Sequence, residues 1–100
     1  MSTIDLATVT GDVFEPLLGE PFELRAPDGG GLTLALTEVR RLGEALRAGG
    51  AFSLIFAAKG GPRLPQAIYS LTHPAIGTLD IFLVPIGPVA GGSGYEAVFT

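Results

Sequence analysis

The stretch SLTHPAIGTLDIFLVPIGP, residues 70–88, decides the fold. It is almost entirely apolar between Leu79 and Ile86. It is broken at His73-Pro74, Gly77, Pro85 and Gly87-Pro88, and it holds the only histidine of the chain. Two readings compete: a site built around His73, or two strands and the corner between them. The residue order favours strands. Leu79, Ile81 and Leu83 fall on one face and Phe82, Val84 and Ile86 on the other, with Asp80 the exception. A short run that is apolar on both faces is expected to be covered on both sides. Pro85 has no N–H to give a ladder, so it belongs at an edge, at a bulge or where pairing stops. His73-Pro74-Ala75-Ile76-Gly77 then forms the turn, with the His73 ring half exposed at its opening.

The neighbouring segments extend the pattern. Before the turn, PQAIYSL (residues 65–71) sets Tyr69 and Leu71 against Ile68 and Ser70. After it, Gly87-Pro88 and Gly91-Gly92-Ser93-Gly94 read as the last turn, and YEAVF, residues 95–99, as the closing strand. FSLIFAA, residues 52–58, carries no charge and has high β propensity. Left bare it is an aggregation hazard, so it is expected to pair on both edges or to be buried in an interface. Upstream, Phe22 and Leu24 alternate with Glu23 and Arg25, and LTLALTEV (residues 32–39) alternates cleanly. Between them Pro27-Asp28-Gly29-Gly30-Gly31 has the residues of a tight turn, so the pair reads as a hairpin. Pro16, Gly19 and Pro21 stop any long helix and leave one turn around Phe14–Leu18. RRLGEALRAGG, residues 40–50, reads as a loop with at most one or two helical turns, because Gly43, Gly49 and Gly50 fence in its helix formers. Residues 1–12 read as a short turn or an N-terminal arm.

Six strands result, at roughly 22–26, 32–39, 51–58, 66–72, 78–86 and 94–99. The expected fold is all-β: one domain over residues 1–100, a small antiparallel barrel or sandwich whose last three strands are consecutive neighbours. The expected core is Phe22, Leu24, Leu34, Leu36, Phe52, Leu54, Phe56, Tyr69, Leu71, Ile81, Leu83, Tyr95 and Phe99.

Composition narrows the function. The chain has no cysteine, so disulfides, thiolate nucleophiles and cysteine-held metals are excluded. Net charge is -4, with one lysine and scattered arginines, which is the wrong sign and distribution for a phosphate backbone. No apolar run approaches the ~20 residues of a membrane helix, and the N-terminus lacks the pattern of a signal peptide, so a cytoplasmic location is expected. Only 16% of residues are charged and mean hydropathy is +0.47. A surface that oily points to a homo-oligomer or a protein partner.

Candidate chemistry is thin. His73 as a general base needs an orienting carboxylate or a nucleophile at hand. Asp80 is near in sequence, and Ser70 and Thr72 are the nearby hydroxyls. One histidine without ligand spacing makes no metal site. Asp28 supplies one oxygen where a calcium loop needs several. The glycines at 29–31 and 91–94 precede neither a helix nor a lysine, so they are not phosphate loops. Arg63, after Gly60-Gly61-Pro62, sits beside a backbone segment able to cradle an anion. Arg40, Arg41 and Arg47, with Glu38 and Glu44, read as solvated ion pairs. Glu23, Glu38, Asp80 and Glu96 fall on strands with no reason to converge. No catalytic residue and no cofactor is assigned. The best ligand-binding candidates are Tyr69, His73, Asp80 and Tyr95, lining a barrel mouth.

Three strings, FSLIF at 52–56, LPQAIYSLTHPAIGTLDIFLVPIGP at 64–88 and YEAVF at 95–99, resemble a family of bacterial proteins of about this length that is catalogued as a domain of unknown function. The likeness extends loosely to residues 14–40 through Phe14, Gly19 and Phe22. It implies a single small domain, no catalytic residues to carry over, and accessory proteins encoded near phage-tail-collar-like genes. The expected function is thus a non-enzymatic interaction or structural module, self-associating or part of a phage-tail-like or surface assembly. A small-ligand-binding barrel and a minor enzyme using His73 are the alternatives.

Overall fold

The alternation of apolar residues becomes six antiparallel strands: β1 (Pro21–Arg25), β2 (Gly31–Arg41), β3 (Phe52–Ala58), β4 (Ala67–His73), β5 (Gly77–Val89) and β6 (Gly92–Phe99). The computed structural model describes residues 9–27, 29–42, 50–60 and 63–99. The expected loop at 40–50 lies mostly outside the described residues, as do Asp28 and most of the expected N-terminal arm. The strands close into a barrel in the order β1-β2-β3-β6-β5-β4. This resolves the barrel-or-sandwich choice, and β4, β5 and β6 are the consecutive neighbours expected.

Closure depends on two long strands that each serve two neighbours. β2 pairs with β1 through Gly31–Ala35 and with β3 from Ala35 onward. β5 pairs with β4 through Gly77–Leu83 and with β6 from Val84 onward. Pro85 sits just where β5 leaves β4, a place that tolerates a missing N–H. Each long strand also carries a bulge, which bends a strand and sharpens its twist. In β2 the extra residue is Thr37, whose hydroxyl donates to the Ile55 carbonyl at 3.1 Å. In β5, Gly87 and Pro88 together oppose Ser93.

The two halves of the chain are topological copies. Exchanging β1-β2-β3 for β4-β5-β6 returns the same ring. Interior positions also correspond: Phe22-x-Leu24 with Tyr69-x-Leu71, and Phe52-x-Leu54-x-Phe56 with Tyr95-x-Ala97-x-Phe99.

Every residue of the expected core is buried. Phe22 meets Phe56 edge-on at 5.4 Å, and Phe52 stacks on Phe99 at 4.5 Å. The ends of the barrel are closed by segments that alternation does not reveal. Two 3-10 turns, Gly11–Val13 and Glu15–Leu17, bring Val9, Phe14 and Leu17 into the core, with Phe14 against Phe52 and Phe99. Arg41 fastens these turns to β2 through Asp12 and Glu15, at 2.6 Å each. The hydrogen bond to Asp12, and after it the one to Glu15, raises the Arg41 pKa above its ordinary value, with desolvation opposing.

One expectation is corrected. β5 is not covered on both sides. Leu79, Ile81 and Leu83 are buried, but Phe82 is 51% exposed and Val84 and Ile86 are half-buried. On β5 the ring shields only the inner face. By contrast β3 is buried along its whole length, on its outer face (Ser53, Ile55, Ala57) as well as its inner one.

The β5–β6 hairpin turns on Ala90 and Gly91, with φ of 49° and 80°. Just beyond it, Gly94 passes so close to the Gly87 carbonyl that a side chain there would collide with backbone. Gly94→Ala is expected to lower stability by about 2–3 kcal/mol in denaturant unfolding. Gly87→Ala, facing open space, should stay within about 0.5 kcal/mol of the parent; equal effects would refute the close approach.

Candidate functional site

The four side chains proposed to line one barrel mouth are not brought together. His73 ends β4 at the end of the barrel closed by the 3-10 turns. Its ring packs on Phe22 at 4.9 Å between centroids, and its side chain is 7% exposed. The half-exposed ring expected from the turn reading is therefore a buried one. Two hydrogen bonds explain how a polar ring is accommodated there. Nδ1 accepts from the Ala75 N–H at 3.0 Å, inside the turn itself. Nε2 must then carry the proton of the neutral ring, and it donates to Glu20 Oε1 at 2.7 Å. Glu20 leads into β1, so the bond ties the entry of β1 to the exit of β4. With both nitrogens engaged and the ring buried, His73 has no nitrogen free to take a proton from a substrate.

Asp80 lies on the other side of the sheet. It accepts from Ser70 at 2.8 Å in an exposed cross-strand pair, and Thr72 and Thr78 form the next rung at 2.9 Å. Tyr69 and Tyr95 point into the barrel toward the end opposite His73. Tyr95 is fully buried, and its hydroxyl accepts the Leu64 N–H at 2.9 Å; the Tyr69 hydroxyl donates to the Pro65 carbonyl at 2.6 Å. Arg63, the proposed anion holder, donates to the Ile86 carbonyl at 3.2 Å. These three side chains fasten the β3–β4 connection across the barrel end. The carboxylates of Glu23, Glu38 and Asp80 have separate partners in Thr33, Arg40 and Ser70.

The surface feature that sequence reasoning missed is apolar. Ile68 and Phe82 stand directly opposite each other on the outer face of β4 and β5, 62% and 51% exposed. Val98 is exposed on the outer face of β6. Five of the six phenylalanines are buried in the barrel, and Phe82 is the sixth. The signal was present: Phe82 alternates out of phase with Leu79, Ile81 and Leu83. A shallow cleft of about 420 Å³ opens elsewhere, between the first half of β2 and the end of β3.

Fold and surface together define a plugged six-stranded antiparallel barrel with an apolar row on one outer face. The chain belongs to the family described as a domain of unknown function, DUF6916, whose model matches residues 9–99. No curated protein and no solved structure matches it significantly. No helix among the described residues is long and apolar enough to cross a membrane.

Two substitutions check these assignments. Tyr95→Phe leaves the Leu64 N–H without its acceptor and is expected to cost about 1–2 kcal/mol in denaturant unfolding, with faster amide exchange at Leu64. His73→Ala is expected to cost about 2–3 kcal/mol. A stability unchanged in either variant would show that the hydroxyl or the ring holds nothing in place.

Proposed function

We infer that the protein is a non-enzymatic interaction module that pairs with a second copy of itself through the outer face of β4 and β5. The observation that carries this reading is the Ile68–Phe82 pair. An aromatic and a β-branched side chain sit face to face on the outside of the barrel, where burial of each would contribute roughly 1.5–3 kcal/mol. The rungs beside them, Ser70–Asp80 and Thr72–Thr78, already satisfy one another. Such a face meets its own copy across a two-fold axis without leaving donors or acceptors stranded. A chain with 47% apolar and 16% charged residues supports the same conclusion. Within a larger phage-tail-like or surface assembly, the kind suggested by the family resemblance, the same row would be the point of attachment.

Sedimentation equilibrium tests the reading. The parent chain is expected to be a dimer at micromolar concentration. Phe82→Asp, at an exposed position, is expected to give a monomer with little change in melting temperature. A parent that stays monomeric at high concentration, or a Phe82→Asp variant that stays dimeric, would remove this face from the function.

A further inference from the structure

The internal duplication creates places where a long strand parts from a neighbour, and three of them differ in how they are closed. Two are sealed by the chain itself. Where β2 leaves β1, residues 19 and 20 continue the ladder: the Gly19 N–H donates to the Leu36 carbonyl and the Leu36 N–H to the Glu20 carbonyl. Where β5 leaves β4, Arg63 caps the Ile86 carbonyl. Where β2 leaves β3 there is instead a cleft of about 420 Å³, lined by Thr33, Ala35, Thr37, Ala57, Lys59 and Ala90.

Three features of this cleft converge. First, it exposes a strand edge. β2–β3 pairing stops at Ala35↔Ala57. Leu36 bonds on the β1 side, and ladder bonds alternate sides along a strand. The Thr33 N–H and carbonyl therefore point into the cleft, where no strand stands opposite among the described residues. Second, small side chains flank that edge and leave its backbone within reach. Third, Lys59, the only lysine of the chain, stands at the rim with no ion-pair partner among the described residues. The cleft also contains the one described non-glycine residue with positive φ, Ala90 at 49°. A hairpin turn of this kind favours asparagine or glycine at that place, and backbone held off its preferred region clusters at binding surfaces.

We propose that this cleft binds an extended acidic peptide, which adds as a strand to β2 at Thr33 and sets an aspartate or glutamate against Lys59. Strand addition draws affinity from main-chain hydrogen bonds and specificity from the side chains beside them. The lysine selects against a second copy of this chain, because edge-to-edge pairing about a two-fold axis at Thr33 would bring Lys59 against Lys59. The site is separate from the Ile68–Phe82 face and does not depend on dimerisation.

Panning a phage-displayed library of random linear octapeptides against the full chain tests the proposal. Enriched sequences are expected to carry Asp or Glu at a fixed place among β-branched residues. A synthetic peptide of the leading sequence should shift the amide NMR signals of Gly31–Ala35 and Lys59. Lys59→Glu should weaken that peptide about tenfold and enrich Lys or Arg sequences instead. Thr33→Pro, which removes an N–H that β1 does not use, should abolish binding, with its folding checked by thermal melting. Phe82→Asp should bind as the parent does. No enrichment over the Thr33→Pro variant, or the same sequences selected by Lys59→Glu, would overturn the proposal.

Discussion

A ring of six strands closes here because β2 and β5 each hydrogen-bond to one neighbour with their first half and to another with their second. A flat strand cannot do this. The bulges at Thr37 and at Gly87-Pro88 supply the bend, and Gly94 lets the bent β5 lie close on β6. Everything else follows from that closure. The interior is a single apolar space, its two ends need closing, and the outer face of β4 and β5 is left to solvent or to a partner.

The ends show how a small barrel without cysteines completes its core. At one end Phe14 fills the opening between Phe52 and Phe99, and the Arg41 pair with Asp12 and Glu15 holds its segment down. At the other, two tyrosine hydroxyls hold the backbone of Leu64 and Pro65. Exposed ion pairs of the Arg41 kind add little on their own; the buried aromatic ring they position contributes more. His73 belongs to the same system. Its two hydrogen bonds join the β4–β5 turn to the start of β1, which makes it a structural cross-link rather than a reactive group.

The duplicated topology also sorts the surface. Two partings of the ladder are closed by connecting segments, and the cleft at β2 is not. A polar ladder and an apolar row lie side by side on β4 and β5. An interaction module needs little more than this: a rigid closed core and a few uncovered patches on its outside. The absence of a shared site for Tyr69, His73, Asp80 and Tyr95 has the same origin. A barrel of this size fills its interior with side chains, and alternation sends Asp80 outward when Leu79 and Ile81 point in.

Strand positions were legible in residue order because period-two alternation, broken by glycine and proline, is a local property of the chain. Leu34 and Leu36, or Ile81 and Leu83, declare their face without reference to anything distant. The turn at His73-Pro74 was readable for the same reason, since backbone restriction by proline is local; the expected end at Pro85 and Gly87-Pro88 was not, because β5 runs on through them to Val89, paired with β6. Tertiary structure alone decided which strand neighbours which, that Phe14 joins the core, that His73 is buried against a glutamate far from it in sequence, and that Phe82 remains outside. These depend on closure of the ring, which sets residues far apart in the chain side by side, and no local pattern carries that information.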